Sequence, residues 1–320
     1  MKDRSHSYPD DQSLAAGLTS ALASTGSAPV TVIRRLPNPL ASTFASEVVT
    51  CRLGDRDPLT LLCKYGGRDH PAYGHRGGVG YEAEVYSRVL AAANGPVPCF
   101  YGAASAGPAG EVWLAIGYLK GARCLNDIRD RKVWEHAAAW AGHFHAEHEA
   151  CDQPRGMSFL ISYDASYFSG WAQRTAENAA AMYPDLAWVG ELCRRAGPAL
   201  LGLLESPRTV IHGEYYPRNI LVNDGIIYPV DWESAAFARG EIDLATLTDR
   251  CDPDTVLHCD AAYRFARWPQ GAPSDFTRVL DLARLYVNLR WLGAEPGPKS
   301  RRRFWRYEEV RALGERLGLI

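Results

Sequence analysis

Residues 210–233 read VIHGEYYPRNILVNDGIIYPVDWE, and this stretch decides how the rest of the chain is interpreted. Apolar runs on either side of the turn-forming residues 223–225 predict two short strands joined as a hairpin. A loop carrying Glu214 and Asn219 leads into the first strand, and Asp231 stands at the end of the second. The stretch therefore places an acid, an amide and a second acid at loop and strand-end positions.

These three residues have the chemistry that phosphoryl transfer requires. One acid orients or deprotonates the attacking hydroxyl, while an amide oxygen and a carboxylate hold Mg²⁺ on the nucleotide phosphates. The interval from Glu214 to Asn219 equals that between the acid and the asparagine of the kinase catalytic loop.

The stretch resembles the HGD-x-x-x-x-N and (I/V)DW(E/D) signatures of the aminoglycoside phosphotransferase family, which is related to choline and homoserine kinases. The matching residues, in order, are His212-Gly213-Glu214, Asn219, Asp231-Trp232-Glu233 and Asp243-Leu244-Ala245. The resemblance implies an α+β, bilobal protein-kinase-like fold with a small β-sheet N-terminal lobe and a larger, mainly helical C-terminal lobe. It also implies that His212 and Asp243 support the loop and that Asn219 and Asp231 hold the metal.

The pattern along the chain agrees with two lobes. Residues 30 to about 118 are strand-like, preceded by an amphipathic helix at 12–24 and interrupted by a helix at about 81–92. The helical periodicity thereafter covers residues 125–149, 164–181, 186–205 and 275–293. We therefore expect an N-terminal lobe at 1–118 and a C-terminal lobe at 119–320, with a link near residues 117–121.

Lys64 is the candidate for the lysine that contacts the α- and β-phosphates. Of the five lysines it alone lies within an apolar strand pattern; the alternative is an edge-strand lysine that reaches solvent. Its partner is expected on the following helix. Glu82 precedes Val85 and Tyr86 on the apolar face, whereas Glu84 aligns with Arg88, so the pattern favours Glu82.

Three further segments are candidates for the nucleotide site. The small, hydroxylated loop 36–46, with Ser42 and Thr43, could place backbone amides over phosphates, or it could be an ordinary hairpin loop. The fold implied by the resemblance assigns purine contacts to the link containing Ile116 and Tyr118. The Gly-rich residues 74–80 lack a phosphate-loop pattern and are expected to form a flexible connector.

The chain has Glu214 where the family has aspartate. The extra methylene moves the carboxylate by about 1.5 Å, and a displacement of about 1 Å can lower a rate by on the order of 10²-fold. Three interpretations stay open: a pocket rebuilt around glutamate, a weak base in an enzyme that relies on charge stabilisation, or nucleotide binding without transfer.

The acceptor region is less well defined. Candidate contacts are Arg218, Glu233, Tyr167 and Trp171, although most aromatic residues before the catalytic loop are expected in the core. Because acids are dispersed there, an aminoglycoside acceptor is not implied. The His-rich segment around His145 is expected to be a solvated helix end.

Composition narrows the class of protein. With 35 basic and 37 acidic residues the formal net charge is −2, so nucleic-acid or membrane binding is not expected. The eight cysteines are scattered and no signal peptide is evident, which favours a cytoplasmic protein. We expect a monomer or homodimer.

The hypothesis is a small-molecule kinase that uses ATP or GTP with Mg²⁺ and transfers phosphate to the hydroxyl of a metabolite or antibiotic. The alternative is a catalytically silent nucleotide-binding regulator. A protein kinase is disfavoured because Asp243 follows Asp231 by only twelve positions, which leaves little room for an activation loop.

Overall fold

The computed structural model describes residues 8–26, 28–40, 44–67, 75–105, 111–294 and 300–320. In chain order the helices and strands are α1 (Asp11–Ala21), β1 (Val30–Pro37), β2 (Ala45–Leu53), β3 (Leu59–Gly66), α2 (Gly78–Arg88), β4 (Phe100–Ser105), β5 (Val112–Gly117), β6 (Arg123–Cys124), α3 (Arg131–Glu147), β7 (Ile161–Ser162), α4 (Ala165–Met182), α5 (Trp188–Ala199), β8 (Thr209–Ile211), β9 (Ile220–Asn223), β10 (Ile226–Pro229), β11 (Ala236–Ala238), α6 (Glu241–Leu247), α7 (Pro253–Arg267), α8 (Phe276–Gly293) and α9 (Trp305–Arg316).

The chain divides into two compact units. The first consists of Met1–Arg123 and Leu221–Ser234, and the second of Cys124–Ile220 and Ala235–Ile320. The sequence predicted a single division at residue 118. The structure departs from it because the end of the hairpin is bonded into the first unit, where Trp232 donates its amide proton to Glu82.

The first unit is built on a five-stranded antiparallel sheet in the order β1-β2-β3-β5-β4. Alternation along β2 and β3 sends Val49, Cys51, Leu61 and Cys63 into one apolar core, which α1 covers with Leu14 and Leu18. Asp10 caps α1 by accepting a hydrogen bond from the Ser13 amide at 2.7 Å. Strand β3 is central in the sheet, and its residues Leu61, Cys63, Lys64 and Tyr65 are buried.

Helix α2 starts earlier than the sequence predicted. Gly78–Gly80 open this helix and are not part of a flexible connector; residue 74 lies outside the described residues. Gly77 sits immediately before the helix, where its amide donates to the carbonyl of Glu233 at 2.7 Å. A Cβ at Gly77 would lie 2.3 Å from the Tyr81 ring, so glycine permits this close approach.

The predicted hairpin is present as β9 and β10. Its turn contains Asp224 and Gly225, both with positive φ (50° and 79°), a conformation that Asp tolerates and Gly favours.

The second unit is mainly helical, with a three-stranded sheet in the order β7-β11-β8. Helix α3 packs on α7, and α4 packs on α5 and α8. The sequence did not single out α6, α7 or α9. The predicted class, α+β with a sheet-rich first part and a helical remainder, is confirmed. No helix among the described residues has both the length and the apolar character needed to cross a membrane.

Candidate active site

Three charged side chains meet in the first unit, and we call Lys64, Glu82 and Asp231 the lysine cluster. The Nζ of Lys64 donates to both carboxylate oxygens of Glu82, at 3.0 and 2.8 Å, and to Oδ1 of Asp231 at 2.6 Å. An ammonium has three protons, and each has an acceptor here. The structure therefore pairs Lys64 with Glu82 and places Asp231 on the same ammonium.

The fold explains why these groups converge. Lys64 lies on β3, between Ser46 on β2 and Leu114 on β5, and only 4% of it is exposed. Glu82 projects from the buried face of α2 and also accepts from the Trp232 amide at 3.2 Å. Asp231 follows β10 with φ of 71°, a left-handed conformation unusual for residues other than glycine, asparagine and aspartate.

Charge keeps Lys64 protonated. Burial alone would lower the pKa of its ammonium, but the carboxylates of Asp231 and Glu82 outweigh burial and raise that pKa above its ordinary value. Lys64 thus carries a permanent positive charge next to Asp231, whose side chain is 27% exposed. A cation with one solvent-accessible anionic partner is suited to exchange that partner for a phosphate oxygen.

Glu233 is a buried acid beside this cluster. Only 1% of it is exposed, and neither carboxylate oxygen accepts a hydrogen bond from the described residues. Its nearest charged partner is Arg76, with Nε 3.7 Å from Oε1. Burial, followed by repulsion from Asp231, raises the pKa of Glu233 to about 8. Its assignment as an acceptor contact stays a prediction.

The second unit contains the loop of residues 212–219, here called the catalytic loop. Its backbone turns at Gly213, where φ is 78° and a side chain would be strained. The carboxylate of Asp243 accepts from the amides of His212 at 2.6 Å and Gly213 at 2.9 Å. His212 in turn accepts from the Glu214 amide through Nδ1 at 3.3 Å. Three consecutive amides of the loop are therefore satisfied by side chains.

Asn219 closes the other end of the catalytic loop. Its amide donates to the carbonyl of Tyr216 at 2.8 Å, and its Nδ2 donates to the carbonyl of Glu214 at 3.0 Å. These bonds orient the side chain so that Oδ1 is the atom left for a metal ion. Glu214 itself is 5% exposed.

A network of buried polar side chains is hydrogen-bonded to Asp243. His145 on α3 contacts Asp243 through Nε2 at 3.1 Å and Tyr263 through Nδ1 at 2.9 Å. Arg267 donates to the Tyr263 hydroxyl at 2.7 Å and to Glu149 at 2.8 Å. Because each ring nitrogen has one partner, the network fits a neutral imidazole with its proton on Nε2.

His145 was predicted to be part of a solvated helix end, and that prediction is wrong. The side chain is buried, since α3 packs this face against α7 and the catalytic loop, whereas His143 on the same helix is exposed. Burial lowers the pKa of His145 despite the opposing effect of Asp243. Among the described residues no group of three or more His, Cys, Asp or Glu side chains is arranged to hold a metal ion.

Arg290 is a residue of the site that the sequence analysis missed. It lies on α8, only 5% exposed, and its guanidinium donates to the Gly213 carbonyl at 2.8 Å and to the hydroxyl of Tyr216. A signal was available: Arg290 is the one charged residue in the apolar run LYVNLRWLG at 285–293. A charged side chain in a core destabilises the protein unless it is paired with hydrogen-bond acceptors or an opposite charge.

The predicted acceptor contacts have different environments. Trp171 is buried in α4 with the Arg174 guanidinium 3.9 Å from its ring centroid, as expected of a core residue. Tyr167 is half-buried and its hydroxyl lies 2.7 Å from that of Tyr286. Arg218 is exposed, 5.8 Å from the centroid of the Tyr216 ring.

Ile116 and Tyr118, to which purine contacts were assigned, lie near the end of β5 and just after it. Ile116 is a buried residue of β5 paired with Leu62, not part of a link. The amide of Tyr118 donates to the Thr60 carbonyl at 3.2 Å, so it is already engaged. Ser42 and Thr43 lie outside the described residues.

Comparison with known proteins identifies the group to which this architecture belongs. Residues 67–274, well over half of the chain, match the phosphotransferase enzyme family. No curated protein matches the sequence significantly.

Solved structures of similar fold agree with that match. The GDP complex of aminoglycoside 2'-phosphotransferase-IIIa has a TM-score of 0.61 at 12% identity, covering 97% of this chain and 99% of that one. Choline kinase LicA from Streptococcus pneumoniae has a TM-score of 0.59 at 13% identity over 88% and 94%. Macrolide 2'-phosphotransferase MphH from Brachybacterium faecium has a TM-score of 0.54 at 16% identity over 89% and 93%.

These likenesses confirm the predicted protein-kinase-like fold. Sequence identities of 12 to 16% describe shared architecture and leave the substrate of this chain to its own residues. By the match over residues 67–274, the chain belongs to the phosphotransferase enzyme family.

Proposed function

We propose that this phosphotransferase moves the γ-phosphoryl group of ATP or GTP, with Mg²⁺, to a hydroxyl of a small molecule. The observation that carries the proposal is the lysine cluster: a buried, permanently protonated lysine held by Glu82 and in contact with Asp231. Phosphoryl transfer is catalysed mainly by positioning and by charge stabilisation, which such a cluster provides.

Lys64 is proposed to bind the α- and β-phosphates. Two of its three protons are directed to Glu82, which is fully buried and fixed by the Trp232 amide. The third is directed to Asp231, the partner that is exposed to solvent. A phosphate oxygen would take the place of Asp231 on Nζ, since it supplies a negative charge at the same position.

Asp231 and Asn219 are proposed as the residues that would hold Mg²⁺. Magnesium is commonly held by one or two protein oxygens together with substrate phosphates and water. Asp231 offers a partly exposed carboxylate, and Asn219 offers Oδ1 because its amide nitrogen is bonded to Glu214. Bound Mg²⁺ would neutralise charge that develops on the phosphates.

Glu214 is proposed to position the acceptor hydroxyl and to accept its proton. The loop that carries it is bonded to Asp243, and within the loop the side chains of His212 and Asn219 bond the main chain of Glu214. Anchoring of the main chain is what allows a side chain of different length to be directed consistently.

The charges around the catalytic loop favour a neutral or anionic acceptor. Arg218 and Arg290 both lie 5.8 Å from the centroid of the Tyr216 ring. Arg303 lies 4.8 Å from the ring of Trp291, which packs against Tyr216, and it forms no ion pair with the described residues. Arg306 beside it is paired with Asp249 at 2.6 Å, whereas Arg218 and Arg303 have no carboxylate partner among the described residues. Polycations such as aminoglycosides are therefore poor candidates.

Purified protein tests the proposal directly. We expect magnesium-dependent binding of ATP or GTP by calorimetry, and transfer of ³²P from the γ-position to members of a panel of hydroxylated compounds. Asp231→Asn should weaken magnesium-dependent binding at least tenfold, because it removes a carboxylate while asparagine keeps the left-handed backbone. Asp224→Asn, at another exposed left-handed position, is the matched control and should bind normally. Equal binding by both variants would contradict the metal role of Asp231.

A nucleotide-binding regulator without transferase activity is the second candidate, favoured by the glutamate at position 214. Glu214→Asp separates the possibilities. Higher turnover than wild type would mark a handicapped base, and lower turnover would mark a pocket built around glutamate. Nucleotide binding with no transfer by either form would favour the regulator.

A further inference from the structure

Arg290 is the residue that no expectation accounted for. It belongs to α8, and the residues around it on this helix, from Leu285 to Leu292, are almost entirely buried. Removing a guanidinium from water is costly unless hydrogen bonds and negative charge compensate. The partners of Arg290 therefore indicate its purpose.

Those partners lie on both sides of Glu214. One arm of the guanidinium donates to the Gly213 carbonyl at 2.8 Å, and the other donates to the Tyr216 hydroxyl. Gly213 is the residue immediately before Glu214, and Tyr216 is two residues after it. A planar guanidinium fixes two acceptors in one orientation, so it fixes the loop segment between them.

Electrostatics links Arg290 to Glu214 itself. Burial would lower the pKa of Arg290, but its interactions with Tyr216, Tyr286 and Glu214 raise that pKa well above its ordinary value. The guanidinium also lies 5.8 Å from the ring centroids of Tyr216 and Tyr286, where the π-electrons favour a cation. Arg290 is thus a buried cation whose surroundings include the proposed base.

We propose that Arg290 is a positioning residue: it clamps the main chain at Gly213 and the side chain of Tyr216, and it sets the position of the Glu214 carboxylate between them. The inference rests on the proposed function, because it assigns Glu214 as the group that accepts the proton. It explains how a carboxylate one methylene longer than the family's aspartate is held in a working position.

A double-mutant cycle tests the proposal. Arg290→Met should lower kcat by about 10²-fold, because a displacement of about 1 Å is sufficient for such a loss, and should leave the KM for nucleotide within about threefold. In a Glu214→Gln background, the same Arg290→Met change should lower kcat less than about threefold, since the group it positions has been neutralised. Equal losses in both backgrounds would overturn the proposal, as would a change confined to the KM of the acceptor, which would make Arg290 a substrate-binding residue.

Conservative variants keep the test informative if Arg290→Met folds poorly. Arg290→Lys retains the charge but loses the fork, and should recover about tenfold of the lost kcat. Tyr216→Phe removes one clamped acceptor and leaves the buried arginine in place, so it should lower kcat by about three- to tenfold; unchanged kcat in Tyr216→Phe would contradict the clamp. Arg284→Met is the control from the same helix, since Arg284 pairs with Asp260 and Asp281, and it should retain activity.

Failure of the clamp and failure of the proposed function give different results. Amide hydrogen exchange at residues 213–216 reports the clamp without any need for turnover. Arg290→Met should raise exchange there at least tenfold relative to Arg284→Met. If Arg290→Met raises exchange but the wild-type protein transfers no phosphate, only the proposed function is rejected. If the wild-type protein transfers phosphate but Arg290→Met leaves exchange unchanged, the clamp is rejected.

Discussion

The lysine cluster and the catalytic loop are both buried and polar, yet they are held together in opposite ways. In the lysine cluster, charged side chains bind one another directly, with Lys64 in contact with both Glu82 and Asp231. In the catalytic loop, the side chains of Asp243 and Arg290 bind main-chain atoms. One site is defined by charge on side chains, and the other by a clamped backbone.

The difference explains where the chain departs from its family's signature. Each member of the lysine cluster depends on the charge and length of the other two, so a substitution there would leave a buried charge without its partner. The loop backbone, in contrast, is fixed by residues other than Glu214. A longer acid at position 214 can therefore be accommodated without loss of the loop's conformation.

The largest effect is expected from Lys64→Met, which would leave the carboxylates of Glu82 and Asp231 facing each other without the ammonium. We expect kcat to fall by about 10³-fold or more and the free energy of unfolding to fall by about 3–5 kcal/mol. Steady-state kinetics and urea titration measure the two effects. Lys132→Met, at an exposed position, should change neither. A Lys64→Met protein with a rate close to that of wild type would show that the cluster is structural only.

A smaller effect is expected from Asp243→Asn, which tests the backbone clamp. The amide group would point an N–H donor at one of the two loop amides that the carboxylate now accepts from, at His212 and Gly213. We expect kcat to fall by about 10²-fold and the stability by on the order of 2 kcal/mol. Magnesium-dependent nucleotide binding should stay within about threefold of wild type, because Asn219 at the other end of the loop keeps its own bonds to Tyr216 and Glu214. A parallel loss of nucleotide binding would show that the lysine cluster depends on the conformation of the catalytic loop.

The smallest effect concerns pH and His145. Because the folded protein holds this imidazole neutral with a lowered pKa, the unfolded chain binds a proton first as pH falls below about 6.5. Because of His145, the free energy of unfolding therefore falls as the pH drops from about 6.5 to the lower pKa that this imidazole has in the folded protein. Thermal melts at pH 7.5 and 5.5 should show a smaller acid-induced drop in Tm for His145→Gln than for wild type. His143→Gln, at the exposed position of the same helix, should behave like wild type.

Local pattern was sufficient to find the lysine cluster. An apolar strand around Lys64, the positions of Val85 and Tyr86 after Glu82, and the acid that ends a hairpin are all short-range signals. The backbone clamp was harder to predict, because Arg290 comes from a helix remote in sequence and acts on carbonyl and hydroxyl groups that leave no sequence pattern.

The burial of His145 could not be predicted from the sequence. The His-rich segment looked solvated because alternate histidines do not share a helix face, yet His145 faces α7 and Asp243. This error comes from tertiary contacts that a single sequence does not display.

The first unit is discontinuous in the chain, since it takes Leu221–Ser234 from a point almost one hundred residues after Arg123. A fragment ending at Arg123 would contain Lys64 and Glu82 but would lack Asp231. Recombination between relatives of this enzyme could not exchange the first unit as a single cassette: three crossovers are needed to move it intact. Chimaeras joined at one point between Lys64 and Asp231 should therefore combine Lys64 of one parent with the aspartate of the other. This limits how such enzymes can diversify by recombination.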